Sequence, residues 1–168
     1  MKKIVAEHGS IFCIPLFMPK DDWKLKIKLS DNDLDKDFAF GRVIETGSSV
    51  LVEIFKFIGS AHTDINDIVN SGIMFSPVSI FWDGIEQKRW RIIGQTENYD
   101  KVKNSNYNNL KMAFWNGADE PFRLKDFGTG EEIVITREEF EISQYSFSTV
   151  WHPIDLENRI LDTPLLKK

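Results

Sequence analysis

The side chains able to do acid–base, nucleophilic or metal chemistry are few and scattered. The three histidines, His8, His62 and His152, fall at no HxxxH or HxH spacing, and none stands at a His/Cys/Asp spacing suited to a metal. They read as surface or capping residues. The one cysteine, Cys13, lies in the apolar run Ile11-Phe12-Cys13-Ile14, with neither a histidine nor a helix start near it to lower its pKa. It reads as a small buried hydrophobe. Gly128-Thr129-Gly130 lacks the Lys-Ser/Thr of a phosphate loop and opens no helix, so it reads as a hairpin turn. Paired carboxylates occur at Asp21/Asp22, Glu131/Glu132 and Glu138/Glu139. General acid–base catalysis needs two carboxylates in contrasting environments. These pairs lie in polar turns or on a wet helix and stay ionised together. No catalytic residue, cofactor site or metal site is assigned.

Charge and aromatic residues suggest binding instead. Residues 1–115 carry 15 acids and 15 bases, whereas residues 116–168 carry 11 acids and 6 bases, so the net charge of −5 lies in the last third. A nucleic-acid partner needs a basic face and is not expected. An acidic face would attract a basic protein. The candidate face comprises Asp119, Glu120, Asp126, Glu131, Glu132, Glu138, Glu139 and Glu141, with Trp115 and Phe122 as anchors beside it. Thirteen Phe, five Trp and three Tyr supply material for both a core and such anchors: Phe12, Phe40, Phe55 and Phe57 sit at apolar strand positions, while Trp82, Trp115 and Trp151 neighbour polar or turn residues.

The elements that must hold these residues are short. A length of 168 residues fits a single domain over 1–168 that folds without disulfides or a metal. Strands are expected at Ser10–Leu16, Lys24–Leu29 (strictly alternating), Phe38–Glu45, Val50–Phe57, Ile73–Phe81, Trp90–Gly94, Leu110–Trp115, Phe122–Phe127 and Glu132–Ile135. Phe38–Phe57 reads as an antiparallel hairpin across the turn Thr46–Ser49. Gly41 and Pro77 mark bulges, close backbone approach or an edge. Helices are expected at Thr63–Asn70, with Thr63 as N-cap and Gly72 as stop, at Arg137–Ile142 after Thr136, and at Ile154–Leu161. Asn98–Asn109 and Ser30–Asp37 read as polar loops. The fold class is mainly β (α+β): a twisted antiparallel sheet with two or three short helices, with partial closure into a barrel left open. The basic start Met1–Val5 meets Glu7 and His8 before any apolar stretch develops, and no run approaches ~20 apolar residues. With a single cysteine, a cytoplasmic protein with no membrane partner is expected, and a monomer is favoured.

Three stretches, in order, resemble a known family. Gly9-Ser10-Ile11-Phe12-Cys13-Ile14-Pro15-Leu16 resembles G-D-x-F-x-I-P-L. Phe38-Ala39-Phe40-Gly41-Arg42-Val43 resembles Y/F-A-Y/F-G-R-V, and Arg89-Trp90-Arg91-Ile92-Ile93-Gly94 resembles W-x-x-I-G. Together they are similar to the immunity protein 26 family of bacterial polymorphic-toxin and contact-dependent growth inhibition systems, over roughly residues 8–140. Ser10 replaces the usual acid, and the stretch from Phe17 to Asp37 is longer than the pattern. The resemblance implies a mainly β protein that binds and neutralises a cognate toxin domain in the bacterial cytosol, a nuclease toxin being the favoured class. The same family label has been attached to a phosphotriesterase-type hydrolase. A metal-dependent hydrolase is therefore one alternative, and a protein-binding module unrelated to toxins is another. The motif residues are expected to define the scaffold, not the interface.

Overall fold

The computed structural model describes residues 6–18, 21–115, 117–142 and 146–166. The start Met1–Val5 lies outside them. The strands form two sheets. The larger contains β1 (Ser10–Pro15), β2 (Phe38–Thr46), β3 (Val50–Gly59), β4 (Ile73–Ile80), β5 (Arg91–Gln95) and β10 (Val150–Trp151), in the order β10-β4-β3-β2-β1-β5. The smaller contains β6 (Lys111–Phe114), β7 (Phe122–Asp126), β8 (Glu132–Ile135) and β9 (Ser146–Phe147), in the order β8-β7-β6-β9. Pairing is antiparallel except at the two-residue strands, where β10 runs parallel to β4 and β9 parallel to β6. The α+β class holds. Among the described residues neither sheet closes on itself, so the partial barrel is not formed.

Both faces of the larger sheet are covered, which explains why β1 is buried along its whole length and reads as an unbroken apolar run. On one face Phe12, Ile14, Val43, Val52 and Ile54 pack with Trp90 and with Leu156 and Ile160 of helix α5 (Pro153–Leu161). On the other, Ile11, Cys13, Phe38, Phe40 and Phe55 pack with Leu29 and with Ile68 of helix α1 (Ile65–Asn70). Gly41 lies against the Phe12 ring, and a β-carbon there would also stand 2.9 Å from Ile54 Cδ1. That approach lets Phe12 stack on Trp90, with ring centroids 5.8 Å apart. Pro77 falls where the β3–β4 register slips between Val52↔Val78 and Ile54↔Phe75, so it sits in a bulge. The smaller sheet joins the larger through Leu110 and Met112, which pack with Ile44 and Leu51.

Several local expectations shift. Lys24–Leu29 joins neither sheet. Its alternation is real, because Lys24, Lys26 and Lys28 are exposed while Ile27 and Leu29 pack under Phe38, but it lies over the core as an extended segment without a ladder. Side-chain alternation reports a half-buried surface and says nothing of a hydrogen-bonded neighbour. Asn98–Asn109 is not simply a loop. It holds helix α3 (Lys101–Ser105), capped by the Asp100 carboxylate, which accepts from the amides of Val102 and Lys103, and a 3-10 turn at Tyr107–Asn109. A further short helix, α2 (Asp83–Glu86), precedes Trp90. Helix α1 is capped by Asp64, one residue after the expected Thr63, and Gly72 ends it at φ 81°. Helix α4 (Arg137–Ile142) forms as expected, while α5 begins one residue early with His152 Nδ1 as its cap.

Candidate interaction surface

Of the ten residues expected to make one face, seven lie on or between β7, β8 and α4, and three precede β7. Trp115 follows β6, Asp119 and Glu120 lie in the connection to β7, Glu131 and Glu132 flank the start of β8, and Glu138, Glu139 and Glu141 belong to α4. All eight acids thus lie on one side of the chain's division into two sheets. The aromatic pair is joined: the Trp115 ring stacks on Phe122 at 5.5 Å and 16°, and Phe122 stacks on Phe140 of α4 at 4.8 Å and 22°. Such stacks hold large apolar area at fixed geometry. Trp115 remains 41% exposed, with Nε1 donating to the Glu120 carbonyl at 3.0 Å.

The acids do not all have the same work. Asp126 builds the β7–β8 turn, where Oδ1 accepts from the amides of Gly128 and Thr129 at 2.9 and 3.1 Å, and Lys111 stands 3.3 Å from Oδ2. Bonding from Thr129, with Lys111 and Gly128, holds its carboxyl below the ordinary value. Gly130 closes that turn at φ 75°, confirming Gly128-Thr129-Gly130 as a hairpin turn. Glu139 is half of a capping box: it accepts from the Thr136 amide at 2.7 Å, while its own amide donates to Thr136 Oγ1 at 3.0 Å. The amide of Thr136 lowers its pKa. Glu141 pairs with Arg137 at 2.7 Å, and Glu132 stands 3.8 Å from Arg123. Asp119, Glu120, Glu131 and Glu138 are exposed. They are the acids whose carboxylates are committed to no turn, cap or ion pair among the described residues.

Not every acid of the last third reaches this surface. Glu157 of α5 is buried beneath the larger sheet, where one carboxylate takes four donors: Arg89 Nε and Nη2 at 2.7 Å each, Trp90 Nε1 at 2.8 Å and Trp23 Nε1 at 2.9 Å. Arg42 makes a second buried centre. Its Nε donates to Glu53 Oε1 at 2.7 Å, its Nη2 donates to the Asn104 carbonyl at 2.7 Å, and its guanidinium lies over the Phe55 and Tyr99 rings. The charged side chains of both centres are buried, and each ties distant parts of the chain together. Among the described residues, no three His, Cys, Asp or Glu side chains gather as a metal site would require, and no helix is long and apolar enough to cross a membrane.

Sequence reasoning passed over one feature of the face. Ile133 and Val134 of β8 are 54% and 66% exposed, and Ile142 at the end of α4 is exposed too. Glu132-Ile133-Val134-Ile135 reads as an ordinary strand. Only its position at the rim of a sheet shows that its apolar side chains stay wet.

The motif residues Phe12, Gly41 and Trp90 pack together, Arg42 and Arg89 each anchor one of the two buried ion-pair centres, and the chain matches the family described as immunity protein 26 over residues 7–119. It belongs to that family. No curated protein and no solved structure matches the chain. The match spans β1 to β6 and ends at Asp119, so the immunity protein 26 pattern covers the larger sheet up to β5 and its buried Arg42–Glu53 pair. It stops where the acidic face begins. Membership of an immunity family supports a role in toxin neutralisation.

Proposed function

We propose that the chain is an immunity protein that binds a cognate toxin domain through the smaller sheet and α4, and so neutralises it. The toxin is a nuclease of a polymorphic-toxin or contact-dependent inhibition system, and the encounter takes place in the bacterial cytosol. The protein works as a monomer, by binding rather than by catalysis. One observation carries the reading: the segment 119–141, just past the family-wide scaffold, carries eight acids against three bases around an exposed aromatic stack. A nuclease holds its substrate in a basic cleft, and an acidic face competes for that cleft while speeding encounter. Asp119, Glu120, Glu131 and Glu138 supply long-range attraction, and Trp115 with Phe122 supplies apolar contact. A patch of ~800 Å² on each partner is enough for a specific complex.

Co-expression with the C-terminal toxin domain encoded beside this chain tests the proposal. Growth should be rescued and the two proteins should co-purify. Toxicity that persists with no complex formed would refute it.

A further inference from the structure

Among the described residues, the small sheet ends on one side at β8, which pairs with β7 alone. The register Phe122↔Ile135, Arg123↔Val134, Leu124↔Ile133, Lys125↔Glu132 begins at the turn, where the Asp126 amide donates to the Glu131 carbonyl at 2.9 Å. Antiparallel ladders alternate bonded and non-bonded pairs. Counting from Asp126 and Glu131, the residues bonded to β7 are Ile133 and Ile135, and the N–H and C=O groups of Glu132 and Val134 point away from it. Edge strands are normally blunted by Lys, Pro, a bulge or a covering element. Of these, β8 has none among the described residues, apart from its shortness and the single charge of Glu132. Its side chains are instead apolar and wet at Ile133 and Val134.

The surroundings of this edge point to its occupant. Glu131 and Glu132 stand at one end, and Glu138 follows at the start of α4 at the other. An apolar edge between acids suits an extended segment that alternates apolar and basic residues. We infer that β8 is the docking strand for an extended basic segment of the toxin, which adds to the sheet through the outward backbone groups of Glu132 and Val134. This rests on the proposed toxin-binding role and says how that face binds. Backbone pairing would supply affinity, and Ile133 and Val134 with the flanking acids would supply choice of segment.

Val134→Pro gives a clean test. It removes the one outward N–H of Val134, keeps an extended backbone, and leaves the bonds to β7 intact. Binding of the neighbouring toxin domain should weaken at least tenfold while the melting temperature stays near that of the parent. Unchanged affinity would overturn the inference. If the variant fails to fold, hydrogen exchange on the parent complex decides: the Glu132 and Val134 amides should become protected by the toxin, and unprotected amides would overturn it. A parent dimer that Val134→Pro converts to monomer would assign the edge to a second copy of this chain and overturn it as well. The quadruple variant D119K/E120K/E131K/E138K separates the two levels. Binding weakened by that variant but not by Val134→Pro rejects strand addition and leaves the acidic-face reading standing. Binding weakened by neither rejects both.

Discussion

Arg89 and Glu157 are 68 positions apart, yet they meet in a two-point ion pair, Nε to Oε1 and Nη2 to Oε2, both 2.7 Å and both buried. The pair ties α5 to the segment that leads into β5, and the Trp23 and Trp90 indoles fill the remaining acceptor sites of the carboxylate. Removing one member of a buried pair leaves the other charge without compensation and costs about 3–5 kcal/mol. Glu157→Ala should therefore lower unfolding stability by that amount in urea titration. A loss below about 1 kcal/mol would mean that water compensates Arg89.

The Arg42 centre makes a related but local prediction. Its Nη2 holds the Asn104 carbonyl, and Ser105 Oγ donates to Glu53 Oε1 at 2.6 Å, so this buried ion pair is what docks α3. Arg42→Lys cannot reproduce the fork that reaches Glu53 and Asn104 together. It should speed amide exchange across Lys101–Ser105 by tenfold or more, with much less change in β3. Exchange that speeds equally everywhere would show a global role instead.

Acid should weaken the fold through identifiable carboxyls. Asp33, bonded by Lys36 and Ser30, is held well below the ordinary carboxylate range, and Asp126 and Glu139 are held below their usual values by turn and cap amides. At Glu45 burial acts upward, but hydrogen bonds from Lys101 and Tyr107 outweigh it and the pKa falls. Groups with lowered folded pKa values contribute fully above their unfolded values, here 3.8 and 4.5, and lose that contribution as pH drops through the folded ones. The melting temperature should be level with respect to these groups near pH 6 and fall below about pH 5. Asp126→Asn should remove part of that slope. A variant with the parent's full slope would contradict the assignment.

Cys13 is fully buried in β1, and burial pushes its thiol up to about 11. Thiolate is the reactive form, so Cys13 should resist a thiol reagent at pH 8 until denaturant unfolds the chain. Rapid labelling of folded protein would contradict the burial.

What could be read in the sequence depended on the range of the interaction. The Phe38–Phe57 hairpin and the Thr136–Glu139 capping box are set by neighbours in the chain, and each stands in place, whereas for Pro77, read as an edge or a bulge, the register against β3 decides for a bulge. Lys24–Leu29 was misassigned because alternation records burial and not a partner strand. Helix α3 was missed because Asn-rich polarity masks a helix that Asp100 and Arg42 hold in place. The eight acids read as one face fall on the smaller sheet, its connections and α4. The turn and cap bonds of Asp126 and Glu139 reach only two or three residues along the chain, whereas the burial of Glu157 depends on contacts made across the fold. The open edge of β8 was invisible for the same reason: Glu132–Ile135 has the same sequence whether or not another strand lies beside it.

The proposed electrostatic capture of toxin at this surface rests on the four acids that the fold does not use. Stopped-flow association with the neighbouring toxin domain, measured against ionic strength, tests it most directly for D119K/E120K/E131K/E138K. Association should be at least tenfold slower at low salt, with a much flatter salt dependence and an unchanged melting temperature. Association as fast and as salt-sensitive as that of the parent would contradict it.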